Sequence, residues 1–469
     1  MRDHTSYGSA SHGLDTDLWG ELGNARKHAS NAEMPLETEG RQRPLRIAMF
    51  VNEFPALSET FILNQITGLL DLGHDVTIFS NGPRNESAVH ADVARYNLRD
   101  RTRYRPMPKA RSKRLLRAPG ILVGDGRRHF AKLMKALDAS VYGRDALSLN
   151  MFYWCAALFE EEPFDIIHCH FGLVGRIVAY FREIGAIKGK LVVTFHGVDV
   201  SACLDEDPNL YRELFRHLDL ALPISNRWRQ RLIAHGCDPS RINVHHMGID
   251  PTRFTFELRS RKATQPLRIL TIGRLVEKKG VEDGLRAVAN LIARRIPAVY
   301  TIAGNGPLAG QLANLANELK IGHHVDFCGW QTQDEVAQLL RQHDVLLAPS
   351  VTDAKGDQEG IPVTIMEAMA SGLPVVSTLH SGIPELVEHD VSGLLVAEHD
   401  VDGLGRAMES LWVDSAMGKR LSIAAHDKVM RDYNVGELNR VLVERYQSIL
   451  ETTTPSESTE VPGDAGASS

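Results

Sequence analysis

The sequence predicts an α/β protein made of two doubly wound domains in tandem, and three observations carry that prediction. Short apolar runs alternate with amphipathic stretches at helical spacing. The alternation stops at a polar break around 252–266 and then restarts. A chain of 469 residues also exceeds what one hydrophobic core organises.

In the first half, strands are expected at 45–51, 75–80, 165–170, 191–195 and 220–224. They are rich in Val, Ile and Phe and nearly uninterrupted, as a parallel sheet covered on both faces requires. Between the first two, Phe61, Ile62, Ile66, Leu69 and Leu70 recur at helical spacing over 59–72, and Gly73 follows as a cap, which completes a βαβ unit. The break contains RSRKATQ. After it, strands are expected at 267–272, 299–302, 325–327, 345–348, 374–377 and 393–396, with helices such as 281–294 and 334–342 between them. The predicted organisation is a polar tail at 1–43, a first domain at 44–255, a second at 256–430, a last helix at 431–450 and a second tail at 451–469. Both tails lack periodicity and are expected to be disordered. The last helix could pack on either domain, including by crossing back to the first. Each domain should carry a ligand crevice at the C-terminal ends of its strands.

Hydrophobic residues make up 43% and charged residues 24%, the balance of an ordinary globular protein. A net charge of -6 argues against generic nucleic-acid binding, which needs a basic excess. Five scattered cysteines without a CxxC suggest neither a disulfide framework nor a zinc ribbon, so a cytoplasmic setting is expected. No apolar run reaches the ~18 residues of a spanning helix, so any meeting with a membrane is expected at its surface.

The most informative segment is 349–378. Pro362 suits the first position of a helix that runs past Glu367 to a cap at Gly372, while Glu359 sits in the loop ahead of it. A helix start with unpaired N–H groups can hold a diphosphate. A carboxylate in the loop can accept hydrogen bonds from sugar hydroxyls, and one further along can take the two hydroxyls of a ribose. The alternative for either glutamate is a plain acid at a helix end.

EGIPVTIME followed by AMASGLPVV, with its two glutamates separated by seven residues, resembles the signature of the retaining GT-B glycosyltransferases of family 4. GRLVEKKG (273–280), AGNGP (303–307) and SGIPELVEHDVSGLLV (381–396) resemble further segments of that family in the same order. The resemblance implies the GT-B fold, two Rossmann-like domains facing each other across a cleft. It assigns Arg274 and Lys279 to the donor diphosphate, with Glu359 at the transferred sugar. Donor binding is further implied for Glu367, Gly360, Ile361, Pro362, Val363, Gly304 and Gly306. Two cations and a helix start can stabilise a departing nucleoside diphosphate as a metal ion does elsewhere, so no catalytic metal and no cofactor are expected. Lys278 reads as a solvated neighbour.

In the first domain, FPALSETFI (54–62) resembles a subgroup found in bacterial exopolysaccharide biosynthesis, including enzymes like those of colanic acid assembly, and DAKGDQEGIP (353–362) resembles the same subgroup. Ser58 and Glu59 read equally as a helix cap and as acceptor-side residues. VVTFHGVD (192–199) places His196 at a strand end facing the crevice, with Asp199 nearby, and the resemblance makes His196 an active-site residue. In HCHFG (168–172), His168 and His170 point to one face of a strand; His170 at the strand end is expected on the acceptor side, and a metal reading is the minor one. The pairs 245–246 and 323–324 read as structural, their rings pointing apart on a strand.

From 95 to 117 there are ten Lys/Arg against one acid, Asp100, followed by Leu115, Leu116, Ile121, Leu122 and Val123. Such a stretch is either a solvated face or a contact for an anionic bilayer, where each cation adds about 1 kcal/mol. The function implied is transfer of a sugar from a nucleotide-sugar to a glycan or lipid-linked acceptor with retention of configuration. The rivals are a same-fold epimerase or phosphorylase, and a non-catalytic sugar-nucleotide-binding protein.

Overall fold

The structure, a computed structural model, describes residues 43–451 apart from 57–58, 84–89, 106, 109, 124 and 261–264. Ser58 and nearly all of both tails therefore lie outside the described residues.

Two six-stranded, all-parallel sheets form the framework. The first comprises β1 (Arg46–Val51), β2 (Asp75–Ser80), β3 (Thr102–Tyr104), β4 (Ile166–His170), β5 (Lys190–Phe195) and β6 (Leu220–Pro223), ordered β3-β2-β1-β4-β5-β6. The second comprises β7 (Leu267–Ile272), β8 (Ala298–Ala303), β9 (Val325–Gly329), β10 (Val345–Ala348), β11 (Val375–Thr378) and β12 (Leu394–Val396), ordered β12-β11-β10-β7-β8-β9. Both orders are the doubly wound one, with the direction of winding reversing between β1 and β4 and between β7 and β10. Loops leaving those strands diverge and open a crevice.

Alternation along each strand builds a core on either side of its sheet. Ala48 and Phe50 of β1 enter one apolar cluster, and Ile47, Met49 and Val51 the other. In β7, Leu267 and Ile269 face one cluster and Leu270 the opposite one. The register Met49↔Ile78 and Met49↔His168 puts the β4 histidines level with the middle and end of β1.

The last helix, Val435–Glu451, returns to the first domain, where Leu442, Val443 and Tyr446 join Ile62, Ile66 and Leu69. Gly68 permits that crossing, since a Cβ there would lie 1.9 Å from Asn439 Nδ2. At the crossover, Ile249 N–H donates to Tyr433 O at 3.0 Å and Val435 N–H to Ile249 O at 2.9 Å.

The structure differs from the sequence expectation in four places. The basic stretch contributes an edge strand, β3, and a helix, Arg111–Val123, neither of which its periodicity announces. Pro362 is the residue before the helix Val363–Ala370 rather than its first, because its ψ of 122 is extended. His323 and His324 lie in a 3-10 turn with ring centroids 4.1 Å apart, not on a strand that would part them. His245 and His246 lie outside regular elements, and His246 Nδ1 meets Ile224 O.

Candidate active site

A cleft of about 960 Å³ opens between the C-terminal ends of the two sheets. Its first wall carries Glu59, Phe61, Phe171 and His196; its second carries Arg274, Lys278, Lys279, Asp357, Glu359 and Glu367. The walls touch where Gly197 meets the chain at 358–360: a Cβ on Gly360 would come within 2.6 Å of His196 O.

The second wall is organised by charge. Glu359 precedes the helix Val363–Ala370, and its Oε2 lies 3.1 Å from Lys279 Nζ. Burial would raise its carboxyl, but Lys279 and Lys278 hold it below the ordinary range, so it is an anion at neutral pH. Lys278 is not a solvated neighbour: its Nζ reaches Asp357 Oδ2 at 2.9 Å. Glu367 lies on the helix with no ion pair among the described residues, and burial pushes its carboxyl up to about 8. The two glutamates are thus opposite in state, one charged and one neutral. Gly360, Ile361, Pro362 and Val363 line the cleft at the helix start, where first-turn N–H groups lack intrahelical acceptors. Arg274 lines it too and makes no ion pair among the described residues.

Gly304 and Gly306 let the β8 loop support the β7 loop. A Cβ on Gly304 would sit 1.8 Å from Gly273 O, and one on Gly306 would sit 2.4 Å from Leu275 O. With Leu275 N–H donating to Asn305 O at 3.0 Å, these glycines hold the loop bearing Arg274 and Lys279.

The first wall is organised by burial. His168, His170 and His196 stack in succession, with centroids 4.9 and 5.3 Å apart. His196 lines the cleft between Phe61 and Phe171; its Nε2 is 3.0 Å from His170 Nδ1 and its Nδ1 3.3 Å from Met247 Sδ. His168 is held by Tyr446 Oη and by Thr194 Oγ1, the latter at 2.7 Å, so neither of its nitrogens is left for a metal. Burial pushes His168 and His196 down to about 3 and His170 well below the usual range, which leaves all three neutral. His170 lies beneath His196 and does not line the cleft, contrary to its expected acceptor-side place. Asp199 is also withdrawn: its fully buried carboxylate accepts N–H groups of Gly172 at 2.9 Å, Gly197 at 2.8 Å and His196 at 3.1 Å. It fixes the loop that presents His196 and touches no ligand space. Glu59 is the residue before the helix Thr60–Asp71, where its side chain makes no capping hydrogen bond, and it lines the cleft.

Two clusters were not legible in the sequence. His380, after β11, accepts Glu359 N–H on Nε2 at 3.0 Å, while its Nδ1 meets Glu398 Oε1 at 2.7 Å. Glu398 Oε2 accepts Thr352 N–H at 2.7 Å, so both ends of the loop at 352–359 are tied to one His–Glu pair. The motif at 381–396 is flanked by these two residues without including them. At the cleft mouth, Arg253 donates to Asp92 Oδ2 of the first domain and Gln333 Oε1 of the second, both at 2.8 Å, and His90 Nε2 also meets Gln333 Oε1 at 2.8 Å. Trp330 stands beside them, 53% exposed.

Residues 58–248 match the family model of the glycosyl transferase 4-like domain, and 254–428 that of glycosyl transferases group 1. A Salmonella typhimurium protein provisionally named as the colanic acid biosynthesis glycosyltransferase WcaL is 39% identical over 86% of this chain and all of its own length. The amylovoran biosynthesis glycosyltransferase AmsK of Erwinia amylovora is 38% identical over 85% of this chain and 98% of its own. Among solved structures, Anabaena Alr3699/HepE with UDP and glucose superposes with a TM-score of 0.61 at 17% identity, over 86% of this chain and all of that one. WaaG, a glycosyltransferase involved in lipopolysaccharide biosynthesis, does so with a TM-score of 0.57 at 16% identity, over 86% and 99%. These likenesses, on the fold and cleft described above, show that the chain belongs to the two-domain GT-B glycosyltransferases built from a 4-like and a group 1 half.

Proposed function

We propose that the enzyme moves a sugar from a nucleotide-sugar donor onto a glycan or lipid-linked acceptor in the assembly of an exopolysaccharide, with retention of configuration and without a metal ion or cofactor. The observation that carries this reading is the pairing of Glu359 with Lys279 beside the start of the helix Val363–Ala370. A diphosphate placed there meets Arg274, Lys279 and the helix N–H groups, while the Glu359 carboxylate faces the sugar it carries. The acceptor oxygen bonds to the anomeric carbon, the bond from that carbon to the phosphate oxygen breaks, and the acceptor proton passes to the departing phosphate. Attack from the leaving-group side preserves configuration. His196, neutral by burial, offers hydrogen bonding and no charge at the sugar.

The test is a screen of UDP-, GDP-, ADP- and TDP-sugars in EDTA, reading released nucleotide, with Glu359→Ala as control. Release from one donor, kept in EDTA and lost in the variant, supports the reading; binding of no nucleotide at all overturns it. Anomeric NMR of the product reads the configuration.

Placement on an anionic membrane is part of the same reading, and part of the basic stretch supports it. Arg95, Arg101 and Arg103 face Asp92, Asp75 and Glu161 of the protein itself. The helix Arg111–Val123 buries no residue, and Leu115, Leu116, Val123, Phe130 and Met134 are exposed beside Arg111, Lys113, Arg117, Arg127 and Arg128. No helix among the described residues is long and apolar enough to cross a membrane. Sedimentation with phosphatidylglycerol vesicles, lost in Leu115→Ser/Leu116→Ser and absent with phosphatidylcholine alone, would support it; equal sedimentation of both proteins would remove it.

A further inference from the structure

Among the described residues, two carboxylate oxygens are buried without a hydrogen-bond partner, and both belong to one stretch of the cleft wall: Asp357 Oδ1 and Glu359 Oε1. Their sister oxygens are engaged, Asp357 Oδ2 by Lys278 Nζ at 2.9 Å and Glu359 Oε2 by Lys279 Nζ at 3.1 Å. Each carboxylate is therefore anchored and neutralised through one oxygen, with the second left as an acceptor. Lys278 Nζ also lies 3.8 Å from Glu359 Oε1, so one ammonium sits between the two acids.

The backbone fixes Asp357 as firmly as Glu359. Its N–H donates to Asp353 Oδ1 at 2.8 Å, and its carbonyl accepts Asp353 N–H at 3.1 Å. The next N–H, of Gln358, reaches Ser201 Oγ of the first domain at 3.4 Å. A side chain held in this way, with a buried acceptor left open, suits a ligand that donates hydrogen bonds. A carboxylate repels phosphate, so the diphosphate belongs with Arg274 and the helix start, and the hydroxyls of the sugar belong here.

We propose that Asp357 is a specificity-determining residue that, together with Glu359, accepts hydroxyl groups of the transferred sugar. The substrate class is a hexose whose hydroxyls at this end of the cleft are unsubstituted; a deoxy or acylated sugar at the Asp357 position is disfavoured. The inference rests on the donor reading given above.

The test compares wild type, Asp357→Asn and Asp357→Ala by calorimetry with UDP, UDP-glucose, GDP and GDP-mannose, and then with mono-deoxy forms of whichever sugar nucleotide binds. Bare nucleotide should bind all three proteins alike. The sugar nucleotide should bind Asp357→Ala roughly tenfold more weakly or worse, with Asp357→Asn, which keeps an acceptor oxygen, in between. One deoxy sugar should lose that factor with wild type and not with Asp357→Ala. Equal weakening of bare and sugar nucleotide would show that Asp357 acts only by holding Lys278, and an unchanged sugar affinity would show that it accepts nothing; either overturns the proposal. If wild type binds no nucleotide of the UDP, GDP, ADP and TDP set screened above, the donor reading itself fails and takes this inference with it.

Discussion

The two walls of the cleft reach opposite electrostatic states by opposite means. On the first-domain wall, histidines are stripped of charge by burial against phenylalanines, Tyr446 and one another. On the second-domain wall, Glu359 is just as close to the cleft, yet Lys279 and Lys278 keep its charge in place. Burial alone does not decide whether a group is ionised; the presence of a counter-charge does, as the contrast between Glu359 and Glu367 eight positions later shows within one wall.

The largest effect that tests this comparison comes from removing a counter-charge. Lys279→Ala leaves Glu359 buried beside Lys278 alone, which should cost about 3–5 kcal/mol of stability and, through the departing diphosphate, roughly a hundredfold or more in turnover. Removing a neutral neighbour on the other wall, as in Thr194→Val beneath His168, should cost only about 1–3 kcal/mol. Thermal melts of the two variants check this, and equal losses would erase the distinction between the walls.

Glu367 should also respond to pH with the sign opposite to that of the buried histidines. His168 and His196 have folded values near 3 against 6.5 when unfolded, so the unfolded chain holds more protons between those limits. Their contribution is complete above pH 6.5 and is lost as pH falls toward 3. Glu367 is raised from 4.5 to about 8, so its contribution is complete below 4.5 and is lost as pH rises through 8. Glu367→Gln should therefore flatten the alkaline side of the stability profile and leave the acid side unchanged. If a ribose draws Glu367 into its charged form, nucleotide binding by wild type should release a proton and tighten as pH rises toward 8, by up to about tenfold per pH unit. Glu367→Gln should show neither effect, which calorimetry in buffers of different ionisation enthalpy reads directly.

How much of this was legible in the sequence follows from how the walls are assembled. The charged wall is drawn from two short segments, 273–280 and 349–367, so Arg274, Lys279, Glu359 and Glu367 could be read from local order and resemblance. All six strands of the second sheet and five of the first were readable, because buried parallel strands are continuous apolar runs; the short, basic edge strand β3 was not. The neutral wall joins residues near 168, 196, 247 and 446, a juxtaposition that no local pattern carries. His170 shows the resulting limit: strand alternation gives the face of a side chain, not its depth. Gly304 and Gly306 carry a packing role that the sequence does not separate from a ligand role, since a glycine needed for close approach of two loops looks in sequence like one that admits a ligand.

A smaller effect sharpens the account of the charged wall. His380→Ala removes the acceptor for Glu359 N–H and frees the loop from Glu398, and should lower kcat roughly tenfold with little change in affinity for bare nucleotide. His380→Gln can place an amide oxygen where Nε2 was and should recover part of that loss. A variant series in which alanine and glutamine are equally impaired would mean that the ring fills space and holds nothing.

The smallest expected effect lies where the two walls are joined. Arg253, Asp92 and Gln333 bridge the domains at the cleft mouth, but the Arg253 side chain is a third exposed, so solvent weakens the pair. Arg253→Ala should cost under about 1 kcal/mol of stability and raise the donor KM no more than a few-fold, by letting the domains part more often before the donor arrives. Small-angle scattering should show the variant more extended without nucleotide and equal to wild type with it. A tenfold or larger fall in kcat at saturating donor would instead place Arg253 among the groups that act on the reacting sugar, and the division of labour between a neutral wall, a charged wall and a passive clasp would have to be redrawn.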